Sequence, residues 1–239
     1  VSMASGTGIF DLRNDDWDDE LVNFLQTKRE NLPRIADDSE TFRTNQWERL
    51  KDAKWFLAIG DGAANNVGAG CLQKHKAALM IGTSGAMRVA FAGEIPKKIL
   101  NGLWCYRIDS QKLIVGGALS DGGGLYRWLK DTMKIAEVDD EVEAEIKTRE
   151  PDSHGLTFLP FLAGERSTGY HENAKGAILG LTQSTTAVEI TQAAMESVAY
   201  RFAEIYDQLQ QIVEIKTIIA SGGALRESPV LRPATSRLS

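Results

Sequence analysis

The segment AALMIGTSGAMRVAF at residues 77–91 holds two apolar runs on either side of a glycine loop. Ala77–Ile81 and Met87–Phe91 are short and apolar, and Gly82-Thr83-Ser84-Gly85 separates them. Short apolar runs bounded by turn residues are typical of buried strands, so the segment predicts a β-hairpin. The loop has two interpretations: an ordinary hairpin turn, or a loop whose backbone N–H groups and hydroxyls face phosphate oxygens.

Further strands and helices surround this hairpin. Leu103–Ile108 and Leu113–Gly117 predict two more strands, which gives an antiparallel meander of about four strands, and Ile215–Ala220 predicts a last one. Composition and helical spacing predict five helices, the longest of which begins with a T-x-x-E capping box of Thr186 and Glu189. Strands that alternate with helices predict an α/β fold. The predicted helices are Asp16–Leu25, Ala63–Leu72, Leu125–Ile135, Asp139–Thr148 and Thr186–Leu209.

The composition argues against nucleic-acid and membrane partners. Of the 239 residues, 43% are hydrophobic and 25% are charged, which is ordinary for a globular domain. The net charge of −6 leaves no basic excess to neutralise nucleic-acid phosphates. No apolar run approaches the roughly 20 residues that span a bilayer. Cys71 and Cys105 lie far apart and predict two buried thiols rather than a disulfide framework, which favours the cytoplasm.

Two more glycine loops lie next to predicted helices. Gly122-Gly123-Gly124 precedes one helix, and Ser221-Gly222-Gly223 follows the last strand. Two explanations fit such glycines equally well. One is close packing of a strand on a helix, and the other is a phosphate contact at a helix N-terminus. Neither loop is a Walker loop, because no Gly-Lys-Ser/Thr follows.

Asp61 lies between Gly60 and Gly62, just after the strand-like residues 56–59. An aspartate in this position is commonly a turn former. A carboxylate at a strand end with glycines on both sides is also suited to accepting a proton from a substrate hydroxyl, as phosphoryl transfer requires.

Seven segments in their order resemble the FGGY carbohydrate kinases, and the resemblance covers nearly all of residues 5–229. The sequence Gly-Asp-Gly at 60–62 and the segments 103–107 and 115–118 resemble gluconate kinases more than glycerol or xylulose kinases. The seven segments are ASGTGIFDLRNDDWDDEL at 4–21, AIGDGAANNVGAG at 58–70, IGTSGAMR at 81–88, GGALSDGGGLYRWLKD at 116–131, LPFLAGERSTGY at 159–170, AKGAILGLT at 174–182 and ASGGALRESP at 220–229.

The resemblance implies an RNase H-like fold of the actin-like ATPase type, with two domains and the active site in the cleft between them. Residues 1–72 are expected to be the C-terminal part of the first domain, which carries the catalytic base. Residues 73–229 are expected to be a truncated ATP-binding domain, and residues 230–239 a tail outside the family. Because family members are about twice as long, the chain is expected to be a fragment without the first Asp-Gly-Thr phosphate loop.

The resemblance also implies roles for individual residues. Asp61 would be the base that deprotonates the sugar's primary hydroxyl. Glu165 and Arg166 are interpreted as structural, because a charged turn can simply hold a loop. ATP with Mg²⁺ would be the phosphoryl donor and a small sugar or sugar acid the acceptor, most simply D-gluconate giving 6-phosphogluconate. A catalytically silent fragment and a nucleotide-binding regulator are the alternatives, and a homodimer is a further expectation. The implied nucleotide contacts are Gly82, Thr83 and Ser84 for the phosphates, Gly123 and Arg127 beside the nucleotide, and Gly222, Gly223 and Glu227 around the adenosine.

Overall fold

A computed structural model describes residues 1–135 and 139–227, without the side chains of residues 139–141, 143, 226 and 227. The helices are α1 Ser2–Ser5, α2 Asp19–Phe24, α3 Asp61–Gly68, α4 Gly123–Asp131, α5 Asp139–Thr148, α6 Ala187–Gln210 and α7 Gly223–Glu227. The strands are β1 Phe10–Asp11, β2 Asp16–Trp17, β3 Thr41–Phe42, β4 Trp55–Phe56, β5 Lys76–Ile81, β6 Gly85–Ala92, β7 Trp104–Arg107, β8 Lys112–Leu119, β9 Thr157–Leu159, β10 Ala177–Leu179 and β11 Thr217–Ser221.

The centre of the fold is a five-stranded sheet in the order β11-β5-β6-β8-β7. The predicted hairpin is confirmed, because β5 and β6 pair antiparallel around the glycine loop. β11 adds to the other side of β5 in parallel, as a strand that returns after a long helix does.

The predicted meander is wrong in its order, because β6 pairs with β8 and β7 lies at the edge. Burial explains the order. β6 and β8 have eight residues each and are buried along almost their whole length. β7 has four residues, of which Cys105 is buried and Tyr106 is exposed. A strand that is apolar on both faces is stabilised most by burial at the centre of a sheet, whereas a short strand with one polar face is better placed at the edge.

Helix α6 packs across the sheet and supplies more of the core than any other helix among the described residues. Its predicted capping box is confirmed: the Thr186 hydroxyl accepts a hydrogen bond from the Glu189 N–H at 3.2 Å, and the Glu189 carboxylate accepts one from the Thr186 N–H at 2.8 Å. Helical spacing of apolar residues from Ile190 to Leu209 predicts one buried stripe on this helix, and the structure confirms it, with Ile190 half-buried and the others buried. The buried members are Ala194, Val198, Phe202, Ile205 and Leu209.

The prediction of one helix over residues 16–25 is wrong in its first part. Asp16 and Trp17 form β2, which pairs with β1, and the helix begins only at Asp19, with Asp18 as its N-cap. Trp17 packs edge-on against Phe10 at 6.1 Å between ring centroids. This contact outweighs local helix propensity, because aromatic burial is worth more than the propensity difference of a residue or two.

The predicted helix over residues 63–72 instead covers Asp61–Gly68. Gly60, in an extended conformation, is its N-cap, so Asp61 is the first helical residue rather than a loop residue. Among the residues that the structure describes, no helix combines the length and apolarity that crossing a bilayer requires.

Candidate functional site

A cleft of about 450 Å³ opens beside the start of α3 and the β5–β6 loop. Polar and aromatic side chains from five separate parts of the chain line it, including Asp61, Ser84, Arg88, Trp104 and Arg166. A concave site with a few convergent polar groups is the usual form of a small-molecule site.

Asp61 is held in this cleft through helix α3. Ala63, two residues further on, packs with Ala90 of β6 and Ile114 of β8 in a small buried cluster. The Asn66 side-chain amide donates hydrogen bonds to the carbonyls of Cys71 and Arg88, each at 3.3 Å. The helix is therefore fixed to the sheet behind it, while the Asp61 carboxylate remains exposed.

Immediately around Asp61, glycines keep the cleft open. The Asp61 carboxylate accepts a hydrogen bond from the Gly62 N–H at 2.7 Å. A Cβ atom at position 62 would lie 3.0 Å from Nε of Arg88, closer than side chains normally approach. Gly62 therefore lets the helix start lie directly against the arginine.

Arg88 is the principal site residue that the sequence analysis did not assign. Its Nε and Nη1 are buried and have no hydrogen-bond partner in the described part of the chain, and its Cζ lies 5.9 Å from the Trp104 ring centroid. Burial lowers the pKa of the Arg88 guanidinium; the positive Arg166 acts in the same direction and the negative Asp61 opposes it. A single arginine inside an otherwise apolar strand was the sequence signal that could have identified it.

Two aromatic rings form the wall of the cleft beside Arg88. The rings of Trp104 and Tyr106 stack at 4.7 Å between centroids, with an interplanar angle of 19°. Burial raises the pKa of the Tyr106 hydroxyl, an effect that Tyr170 reinforces and the positive Arg166 opposes. The wall offers an apolar surface with a polar rim, which suits the C–H faces of a polyol.

Residues 165–167 place Arg166 at the cleft. Glu165 forms an ion pair with Arg201 of α6, in agreement with the structural role expected for it. The hydroxyl of Ser167 accepts a hydrogen bond from the Ala118 N–H at 3.0 Å, and the Ser167 N–H donates to the Ala118 carbonyl at 3.0 Å. Arg166 was expected to be structural as well, but its side chain is exposed and lines the cleft.

The first two glycine loops lie directly against each other. The N–H groups of Gly122 and Gly124 donate to the Thr83 carbonyl at 2.9 and 3.0 Å, and the Gly123 N–H donates to the Gly82 carbonyl at 2.8 Å. The N–H groups at the start of α4 are therefore engaged by protein carbonyls. The Thr83 and Ser84 side chains, in contrast, are exposed on the loop itself.

The third glycine loop packs against the other two. Gly222 has a φ of +110°, and a Cβ there would lie 2.2 Å from the Ile81 carbonyl oxygen. A Cβ at Gly123 would lie 2.4 Å from the Cβ of Ala224, which directly follows Gly223 in α7. The backbones of all three loops thus approach at distances that only glycine permits.

Most of the predicted site residues are brought together, with two exceptions. Gly82, Thr83, Gly123, Gly222 and Gly223 belong to the converging loops, and Ser84 connects them to the Asp61 cleft. Arg127 is exposed on α4, one turn beyond Gly123, and is not part of the cleft lining. The side chain of Glu227 lies outside the described residues, as do residues 230–239.

A group of metal-ligand residue types lies outside this cleft, where the loop between α5 and β9 meets α6. Asp152, His154 and Glu196 bring donor atoms within 4.8 Å of one another. His154 Nδ1 accepts a hydrogen bond from the Leu156 N–H at 2.9 Å, so the ring proton is on Nε2, which is 3.3 Å from the Glu196 carboxylate. A metal ion needs a lone pair on that nitrogen, so the group is better explained as a hydrogen-bonded brace.

Comparison with known proteins extends these observations. The family model described as the C-terminal domain of the FGGY family of carbohydrate kinases matches residues 77–236. The chain is 28% identical to the gluconokinase of Bacillus subtilis, covering 94% of this chain and 47% of that protein. It is 30% identical to the glycerol kinase of Deinococcus radiodurans, covering 94% and 46%. The chain thus spans about half the length of the curated relatives it matches.

Solved structures give the same picture. The ligand-bound xylulose kinase of Lactobacillus acidophilus superposes with a TM-score of 0.85 and 30% identity, over 98% of this chain and 49% of that one. The gluconate kinase of the same organism superposes with a TM-score of 0.83 and 29% identity, over 98% and 49%. These likenesses confirm the predicted α/β fold of the actin-like ATPase type.

Proposed function

Because this chain belongs to the FGGY family of carbohydrate kinases, we propose that its protein transfers the γ-phosphoryl group of ATP to a primary hydroxyl of a sugar or sugar acid. The observation that carries the proposal is the placement of Asp61 in one cleft with Ser84, the residue that connects this cleft to the three glycine loops. A candidate base and a candidate phosphate loop thus face the same space.

Asp61 is proposed to accept the proton of the acceptor hydroxyl as its oxygen attacks the γ-phosphorus and ADP leaves. The exposed hydroxyls and N–H groups of Thr83 and Ser84 would orient the phosphates, because the N–H groups of Gly122–Gly124 are already used. Mg²⁺ would neutralise the phosphate charge. Asp61 is the one carboxylate among the described residues that line the cleft, so the ion would depend mainly on ATP oxygens for its ligands.

D-Gluconate is the acceptor that we propose. The Gly-Asp-Gly sequence at 60–62 resembles gluconate kinases. Arg88 and Arg166 also give a positive cleft in a chain of net charge −6. Relatives named as glycerol and xylulose kinases have similar identity, so the support for gluconate comes from the residues of the cleft.

A catalytically silent protein that still binds nucleotide is the second candidate. Large apolar side chains are exposed on the first 72 residues in the structure, among them Phe24, Phe42, Trp47, Phe56 and Ile59.

We propose that residues 1–72 are part of a first domain whose core requires further residues, and that residues 73–229 belong to the ATP-binding domain. These residues alone would then position an acceptor poorly, which would slow or abolish phosphoryl transfer. A homodimer and a cytoplasmic location remain predictions.

The test is ADP release from the purified chain with ATP, Mg²⁺ and D-gluconate. The kinase proposal is supported if the chain has turnover that is lost in Asp61→Asn. The control variant Asp19→Asn, at an exposed position distant in sequence, should keep that turnover. Thermal stabilisation by MgATP without turnover would favour the silent alternative. Absence of both would contradict the nucleotide site itself.

A further inference from the structure

We propose that Arg88 is the specificity-determining residue that binds an acceptor's carboxylate, so that the site selects sugar acids over neutral polyols. This inference rests on the proposed kinase function and deepens it by naming the substrate class. It concerns a residue to which the sequence analysis gave no role.

The first support is the unsatisfied state of the guanidinium. Nε and Nη1 of Arg88 are buried without a hydrogen-bond partner among the described residues. Arg107, another arginine of the cleft lining, contrasts with it. Its side chain donates to the Leu12 carbonyl at 2.9 Å and to the Ser110 carbonyl at 2.9 Å. These two nitrogens are closed to solvent, so the half-buried guanidinium is poorly hydrated. An anion that lies in the cleft against the same side chain would therefore interact with a charge that water screens little.

The second support is that two glycines leave room for the Arg88 side chain. Position 116, opposite Arg88 in the β6–β8 register, is a glycine. A Cβ there would lie 3.0 Å from Cγ of Arg88, and a Cβ at Gly62 would lie 3.0 Å from its Nε. The two glycines leave room for the Arg88 side chain, and its guanidinium lies 5.9 Å from the centroid of the Trp104 ring. A planar guanidinium loses little entropy on binding an oxyanion.

The third support is the separation between Arg88 and the phosphate loop. Arg88 lies three positions beyond Gly85, the first residue of β6, so its Cα is about 10 Å along the strand from the end of the glycine loop, at about 3.3 Å per residue. An oxyanion at Arg88 therefore belongs more naturally to the far end of the acceptor than to the phosphates of ATP. Asp61 is near enough for its charge to act on Arg88, yet no ion pair joins the two among the described residues. An extended six-carbon acid would place its carboxylate at Arg88 and its terminal hydroxyl on the far side of Asp61, toward Ser84. Arg166, exposed at the rim, adds a second positive charge.

The experiment compares D-gluconate with D-gluconamide, which has the same chain and hydroxyls but no charge. Dissociation constants are measured by titration calorimetry for the parent chain, Arg88→Gln and the exposed control Arg43→Gln. The parent and the control are expected to bind gluconate about 10- to 100-fold more tightly than gluconamide, the range for a hydrogen bond to a charged group. In Arg88→Gln the ratio should fall to within about twofold of one, while thermal stabilisation by MgATP is unchanged.

Each alternative outcome overturns the inference. If the ratio of the two dissociation constants is unchanged in Arg88→Gln, Arg88 does not bind the carboxylate. If the parent chain does not prefer gluconate to gluconamide, the site does not select sugar acids. Loss of the MgATP response with the ratio retained would place Arg88 at the phosphates instead. If Arg88→Gln does not fold, Arg88→Lys, which keeps the charge but not the planar donors, should lose at least about threefold of the ratio. Failure of the kinase proposal is seen separately, as absence of an MgATP response in the parent chain.

Discussion

Replacing Gly123 by alanine should loosen the junction of the three glycine loops. The added Cβ would lie 2.4 Å from the Cβ of Ala224 and 3.0 Å from the carbonyl oxygen of Gly82. Normal carbon–carbon contacts are about 3.5–4.0 Å. Both neighbours belong to the backbone or are attached directly to it, so neither can rotate away. The start of α4 must therefore move by about 1 Å from α7, from the β5–β6 loop, or from both.

The size of the effect follows from two opposing contributions. Overpacking of this kind costs about 1–3 kcal/mol. Alanine is more favourable than glycine in a helix by about 0.5–1 kcal/mol. With the middle of each range, the net loss in the free energy of unfolding should be about 1 kcal/mol, which corresponds to a fall in Tm of about 2–4 °C for a chain of this size.

Thermal unfolding with and without MgATP measures both consequences. Gly68→Ala is the matched control, because position 68 is also helical and a Cβ there meets no atom within 4 Å. The control should have a Tm equal to or above that of the parent and an unchanged response to MgATP. Gly123→Ala should have a lower Tm and a smaller response, because the loop of Thr83 and Ser84 is displaced. Equal Tm values and equal MgATP responses for the two variants would refute this account of the loops.

Three further predictions concern the framework of the site. Thr186→Ala removes the N-cap of α6 and should lower the free energy of unfolding by about 1 kcal/mol in urea denaturation, whereas Thr185→Ala, outside the cap, should change it less. Asn66→Ala leaves the carbonyls of Cys71 and Arg88 without these donors and should cost about 1–3 kcal/mol in the same measurement; a loss below about 0.5 kcal/mol would contradict its role in fixing α3. Burial raises the pKa of Cys105 from 9.0 to about 11. The folded state therefore holds this proton more tightly, and its contribution is complete below pH 9 and lost as the pH rises to 11. Stability of the parent should fall by about 2–3 kcal/mol more than that of Cys105→Ala over this interval, and parallel pH profiles would contradict it.

Much of the local structure could be predicted from the sequence. The β5–β6 hairpin and helix α6 each combine an apolar pattern with a recognisable terminus, a glycine loop in one case and the Thr186–Glu189 box in the other. Such signals depend on residues within a few positions of one another. The prediction failed at Trp17, where the side chain packs on Phe10 and the local pattern has no information about that partner.

The candidate site was predictable only in part. Asp61 and the glycine loops can be identified from the sequence, because glycine costs conformational entropy unless a close approach or a positive φ requires it. Arg88 and Arg166 were not assigned to the site, because a lone arginine in an apolar strand and a Glu165-Arg166 pair in a turn do not by themselves indicate a ligand contact. Their importance depends on Gly62, Gly116 and Trp104, which are distant in sequence and surround the Arg88 guanidinium in the fold.

The sequence by itself thus determined the α/β class, the positions of the main strands and helices, and the family. The tertiary structure decided that β6 pairs with β8, that the Gly122–Gly124 N–H groups bind the Gly82 and Thr83 carbonyls, and that Asp61 shares a cleft with Arg88. The physical reason is the range of the interactions. Turn and capping preferences act between near neighbours, whereas strand order and site assembly follow from which surfaces exclude most water when the whole chain packs.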